Sequence, residues 1–301
     1  MIPWILFGVF ILALLAIDLG LNRNSHAIAF KEAIYWSVFF IGAALLFNLL
    51  VYYLQGAEAA VLFLTSYLIE ESLSVDNLFV FILIFKYFKV PSLYLHRVLF
   101  WGIFGAIVMR AIFIAAGIAL ITRFHWVIYL FGGFLIFTGI KMALQKDREL
   151  QPDKNPVLRL FRRFFPVADA YDRGNFFTRQ GGHFIATPLF IVLLFIETTD
   201  VIFAVDSIPA VFAITLDPFI VFTSNIFAVL GLRSLFFLLA NIMERFHLLS
   251  YGLSVVLIFV GVKMLIAEFY PVPIAITLGA LVVILSVSIV ASILYPKSDI
   301  A

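Results

Sequence analysis

Six carboxylates interrupt apolar stretches of this chain, and they fall into two related sets. The first runs Glu70-Glu71-Ser72-Leu73-Ser74-Val75-Asp76-Asn77. The second runs Glu197-Thr198-Thr199-Asp200-Val201-Ile202-Phe203-Ala204-Val205-Asp206-Ser207-Ile208-Pro209. In each, an acid is followed six residues later by a second acid, which Val precedes and a small polar residue follows. Glu70 thus corresponds to Asp200 and Asp76 to Asp206. An ionised group at the centre of a bilayer costs roughly 2.5–3.5 kcal/mol on insertion scales, so such groups face a protein interior and mark ion or proton paths. Two matched sets predict one site built from two halves.

The candidate ligands are Glu70, Glu71, Asp76, Asn77, Glu197, Asp200, Asp206 and Ser207, with Asn225 on a later apolar run. All are oxygen donors. The chain has no Cys, and its five His residues (His26, His96, His125, His183 and His247) fall at run ends or between runs. Oxygen donors without sulfur or imidazole suit Mg²⁺, Ca²⁺ or Mn²⁺ rather than Zn²⁺ or copper, and ligand type alone leaves those three open. Arg110 and Arg233 lie mid-run and are read as structural counter-charges to the acids. No Ser-His-Asp set, phosphate-binding glycine loop or haem-ligand pair occurs in the apolar runs, so no enzyme and no resident cofactor is expected.

Residues six apart on a straight α-helix differ by about 240° and do not share a face. For Asp200 to converge with Asp206, the helix should bend or unwind near them. Pro209 supplies a cause, since it lacks an N–H and clashes with the carbonyl of Val205. In the first set Ser72 and Ser74 can bond to backbone carbonyls and bend a helix.

These elements lie in a chain of 301 residues that is 64% hydrophobic and 13% charged, against about 45–50% and 25% for a soluble domain. The expected class is an all-α polytopic membrane protein. Runs long enough to cross about 30 Å of hydrocarbon fall near 3–21, 33–54, 60–86, 97–121, 126–144, 184–212, 219–243, 250–267 and 272–295, giving about nine transmembrane helices. The first run lacks a cationic start and a cleavage site, and reads as a span. Alternate connections hold Arg23, Lys31, Lys89, Arg97, Arg245, Lys297 and a basic loop at 145–183; the other set holds only Arg123. The positive-inside rule then puts the N-terminus outside and the C-terminus in the cytoplasm. The loop segment 157–165, basic and aromatic between prolines, suits a short helix on an anionic leaflet and serves as an orientation signal and surface anchor. Its charges are where topology requires them, so nucleic acid is not an expected partner.

The chain also repeats itself. Phe134-Leu135-Ile136-Phe137-Thr138-Gly139-Ile140-Lys141-Met142 matches Val256-Leu257-Ile258-Phe259-Val260-Gly261-Val262-Lys263-Met264, and the run from Ile103 to Arg110 aligns with that from Ile226 to Arg233. A first repeat at 60–144 therefore recurs at 184–267, helices three to five matching six to eight. An odd number of spans forces the copies into the membrane from opposite sides. Inverted repeats with a midplane site are a signature of secondary transporters.

The segment Tyr67-Leu68-Ile69-Glu70-Glu71-Ser72-Leu73-Ser74-Val75-Asp76-Asn77, together with Asp200 to Ala210, Thr223-Ser224-Asn225 and Gly231-Leu232-Arg233, closely resembles the TerC/Alx family of bacterial integral membrane proteins. The resemblance implies Mn²⁺ export, within a broader set of exporters with inverted three-helix repeats. The expectation is a bacterial inner-membrane exporter working by alternating access in exchange for protons. Its partners would be Mn²⁺, protons, the lipid bilayer and a possible second copy in a homo-oligomer. Two other readings stand beside it: a membrane-embedded metal sensor or assembly partner, and an oxyanion (tellurite) transporter using Arg110 and Arg233.

Overall fold

A computed structural model describes residues 30–144, 165–168, 170–180, 183–240, 248–267 and 272–295, with isolated positions in 4–14, 160–163 and 269–270. Its helices are α1 (Phe30–Gln55), α2 (Ala57–Tyr87), α3 (Ser92–Arg123), α4 (Val127–Leu144), α5 (Pro188–Phe212), α6 (Pro218–Leu239), α7 (Leu249–Ile266) and α8 (Ile274–Leu294). Helical positions at 7–11 and 13–14 fall within the first expected span. The protein is an all-α polytopic membrane protein. Helices dominate because hydrocarbon offers no partner for backbone N–H and C=O groups, which must be satisfied within each segment. Among the described residues seven helices are both long and apolar enough to cross a bilayer. The remaining one, α2, has 31 residues, ample length, but carries Glu58, Glu70, Glu71, Asp76 and Lys86.

Two features depart from the sequence expectations. Neither α2 nor α5 is interrupted: Pro209 sits inside α5, close enough to its end that the helix runs unbroken past both acids. The sixth helix begins at Pro188 rather than near 184, because His183–Ala186 is a strand, β2, paired antiparallel with β1 (Phe177–Gln180). Thr187 closes that hairpin onto the helix start, its Oγ1 donating to the Asn175 carbonyl at 2.6 Å. Most of the expected short helix at 157–165 lies outside the described residues, although Phe161 stacks on Phe165 at 4.8 Å between ring centroids.

The helices of the two matched segments interleave, packing chiefly on one another rather than within each segment. Helix α6 is the central element, with 89% of its apolar window buried, whereas α8 has 11% buried and presents its surface to lipid. Helix α2 packs on α6, and its counterpart α5 packs on α3. The pair α4 and α7 pack most intimately, and stretches that match each other in sequence meet there. A Cβ added to Gly139 would lie 2.8 Å from the Ser254 carbonyl oxygen and 3.1 Å from the Ile258 nitrogen. One added to Gly261 would lie 2.8 Å from the Gly132 carbonyl oxygen and 3.1 Å from the Ile136 nitrogen. The contacts exchange when each residue is replaced by its repeat equivalent, as an approximate two-fold relation requires. Small residues let helix backbones approach in membranes, where hydrophobic attraction between helices is absent.

Gly139→Ala and Gly261→Ala should therefore destabilise the protein to similar extents, by about 1–3 kcal/mol each, because the obstructing atoms are backbone. Gly133→Ala is the control: nothing lies within 4 Å of a Cβ there. Thermal unfolding of the three variants in detergent checks this.

Candidate functional site

At the meeting of α2, α3, α5 and α6, a guanidinium is held by two carboxylates and an amide. Arg110 comes from α3, Glu70 from α2, Asp200 from α5 and Asn225 from α6. Glu70, Arg110 and Asn225 are fully buried and Asp200 is 2% exposed. Arg110 donates through Nε and Nη2 to the two oxygens of Asp200, at 3.3 and 3.1 Å. Its Nη1 donates to Glu70 Oε2 at 2.8 Å and to Asn225 Oδ1 at 3.1 Å. Asn225 Nδ2 closes the ring by donating to Glu70 Oε1 at 2.6 Å. Every carboxylate oxygen is engaged, and the fork on Asp200 is the geometry that makes arginine–carboxylate pairs strong.

Glu70 and Asp200 are the acids that the sequence matches to each other, so the ring brings the two acidic motifs together. The two arginines have different neighbours among the described residues. Arg233, the counterpart of Arg110, is also buried, and its Nη1 lies 3.3 Å from His96 Nε2. Asn225 has Gly102 as its counterpart, and Gly102 lines a void of about 10 Å³ beside Asp200, a volume on the scale of one water.

The remaining acids point elsewhere. Asp206 is half-buried and its Oδ1 accepts from Thr138 of α4 at 3.2 Å. With α5 unbroken, the 240° between Asp200 and Asp206 keeps them on different faces, so the convergence expected from a bend does not occur. Glu71 Oε2 is buried without a hydrogen-bond partner among the described residues, and its carboxylate faces Gly231 at van der Waals distance from a Cβ there. Glu197 packs directly on Gly105, where any Cβ would overlap its carboxylate. Gly105 thus makes room for an acid. Ser207 and Asn77 are both buried. Asp76 lies on α2, but its side chain is outside the described residues. Among the described residues no three acids or histidines come together as a ready-made metal cage.

Beside the helices, the hairpin segment docks on the turn between α2 and α3. Tyr171 donates its hydroxyl to the Phe88 carbonyl at 2.8 Å, and burial raises its phenol above the usual range. Arg97 lies over the Phe176 ring at 5.4 Å. Sequence reasoning missed this hairpin; the Gly181-Gly182 pair between two short runs was the available signal.

The profile of the "Integral membrane protein TerC family" matches residues 55–299, which include every acid, arginine and amide described above. The chain belongs to the TerC family. Its relatives include a membrane protein named STKORF319 of Myxococcus xanthus, 51% identical over 98% of this chain and 94% of that protein. The protein named "Putative membrane-bound redox modulator Alx" of Escherichia coli K12 is 50% identical over 92% of this chain and 89% of its own length. A membrane protein of Rickettsia bellii is 41% identical over 97% of both chains. No solved structure matches. For this TerC protein, membership and fold are thereby settled, and the site's chemistry is taken from its own residues.

Proposed function

We propose that this TerC protein exports Mn²⁺ across the bacterial inner membrane by alternating access in exchange for protons. The observation that carries the reading is the buried ring itself. Equivalent acids from the two repeats close on one cationic group at the repeat interface, with Glu71 and Glu197 nearby and outnumbering Arg110. Such a centre stabilises positive charge, and its donors are all oxygen, as a hard divalent cation prefers. In this reading Arg110 occupies, between Glu70 and Asp200, a place that suits a cation. The ion would draw on those acids and on Asp76 and Asp206 as the repeats rearrange. Asn77, Ser207, Glu71, Glu197 and Asn225 complete the proposed ligand set. The inside placement of the C-terminus follows from the charge asymmetry of the connections.

The oxyanion reading is disfavoured by the same geometry. Arg110 is fully buried and neutralised by two carboxylates, so it has no charge to offer an anion. Thiol redox chemistry has no residue to run on, because the chain contains no Cys. The sensor reading shares the site but predicts no flux. Proteoliposomes containing only the purified protein and an internal Mn²⁺-responsive dye separate the two: the exporter gives Mn²⁺ flux that a proton gradient accelerates, while the sensor binds the ion and gives none.

Protons and Mn²⁺ should compete for the same oxygens, since carboxylates ligate metal only when deprotonated. The sign follows directly: lower pH protonates the acids and weakens binding, and higher pH strengthens it, by up to about tenfold per pH unit for each proton displaced. The acids would titrate as a cluster, with no single residue owning a value. Mn²⁺ affinity of detergent-solubilised protein, flat between about pH 5.5 and 8.5, would remove the physical basis for exchange.

A further inference from the structure

At the end of the bundle where the hairpin docks, a cavity of about 420 Å³ opens between α2, α3 and α6. It takes no part in the buried ring. One side is cationic and polar: Lys86 and Lys89, both exposed, and Ser92 at the start of α3. The other side is apolar, chiefly Phe85, Phe236 and Phe237. Those rings pack edge-to-face, Phe85 on Phe236 at 5.2 Å and Phe236 on Phe237 at 5.3 Å, forming a continuous aromatic wall. Among the described residues lining the cavity none is acidic. Lys89 is held at φ 49°, a conformation rare for a residue with a side chain, in a turn fixed from outside by the bond from Tyr171 to Phe88. The matching turn of the second repeat carries Asp217 instead of lysines, and that carboxylate is engaged by the backbone N–H groups of Phe219 and Ile220.

We propose that this cavity binds one anionic phospholipid, its phosphodiester between Lys86, Lys89 and Ser92 and an acyl chain along the Phe85–Phe236–Phe237 wall. A free phosphate would satisfy the lysines and leave the aromatic wall bare; a zwitterionic lipid would cover the wall and bring a cation beside the lysines. Only an anionic lipid matches both sides. The site lies at the membrane end carrying most of the basic residues, where anionic headgroups concentrate if that end is cytoplasmic. The inference is independent of what the protein transports.

The test uses delipidated full-length protein transferred to nanodiscs of phosphatidylglycerol or phosphatidylcholine, with retained lipid counted by native mass spectrometry after extraction. Wild type should keep one phosphatidylglycerol per protein and lose phosphatidylcholine. The Lys86→Gln/Lys89→Gln pair should weaken that retention roughly 30-fold at low salt, the equivalent of ~2 kcal/mol for two basic residues. Equal retention of the two lipids by wild type overturns the proposal without recourse to a variant. So does undiminished retention by the double variant. Displacement of the lipid by millimolar inorganic phosphate would reassign the site to a free anion and overturn the lipid as occupant.

Discussion

Replacing Arg110 with Gln should be among the most damaging single changes in this protein. It would leave Glu70 and Asp200 buried with no counter-charge, and stripping one partner from a buried ion pair costs about 3–5 kcal/mol. The expected result is a sharp fall in the yield of monodisperse protein and in the thermal unfolding midpoint in detergent. Arg110→Lys should recover part of the loss, since a point charge cannot fork onto Asp200 and reach Glu70 together. The decisive variant is the neutral triple, Arg110→Gln with Glu70→Gln and Asp200→Asn. It should fold better than Arg110→Gln alone, because amides can replace the bonds without leaving a charge unpaired. If the triple is no better, the ring is not held by charge balance.

Asp206→Asn should do the opposite: leave the protein folded and stop transport. Asp206 is half-buried, and its bond from Thr138 survives in an amide that keeps the acceptor oxygen. An amide is a poorer ligand for a hard dication and cannot cycle a proton. Losing even an outer partner of a metal costs about 10–100-fold, so losing a ligand should lower Mn²⁺ flux at least roughly 100-fold. Asp76→Asn, at the equivalent position of α2, should behave likewise. Cells carrying either variant should accumulate Mn²⁺ as a null strain does while the membrane fraction holds normal amounts of protein. Wild-type flux from both would sink the two-half-site reading.

Much of the architecture was legible beforehand because hydrocarbon leaves the backbone few choices. The described helices fall within a few residues of the apolar runs. What failed, failed for local reasons. The hairpin at 177–186 lies in a basic stretch where no apolar period calls attention to it. The predicted bend in α5 gave too much weight to Pro209, which near a helix end removes one bond and need not break the rod. The split among the acids was visible in their 240° spacing but was set aside in favour of convergence. That Glu70 and Asp200 would close on Arg110, and that Arg233 would face His96, could not be read from spacing, since it depends on how four helices rotate about their axes.

The ring of Glu70, Arg110, Asp200 and Asn225 also sets an order of construction. Its members are separated by up to 155 positions along the chain, and the membrane receives them one hairpin at a time. Glu70 and Arg110 sit on consecutive helices and touch at 2.8 Å, so α2 and α3 can neutralise each other as soon as both are inserted. For α5 the partner comes from the first half of the chain: Asp200 is held by Arg110 of α3. Helix α5 is apolar enough to span, yet until the second half of the chain docks on the first its Asp200 waits for the cation it holds in the finished fold. Completion of the ring therefore needs both halves of the chain, and a ribosome stalled before Asn225 leaves Glu70 without the amide that occupies its second oxygen.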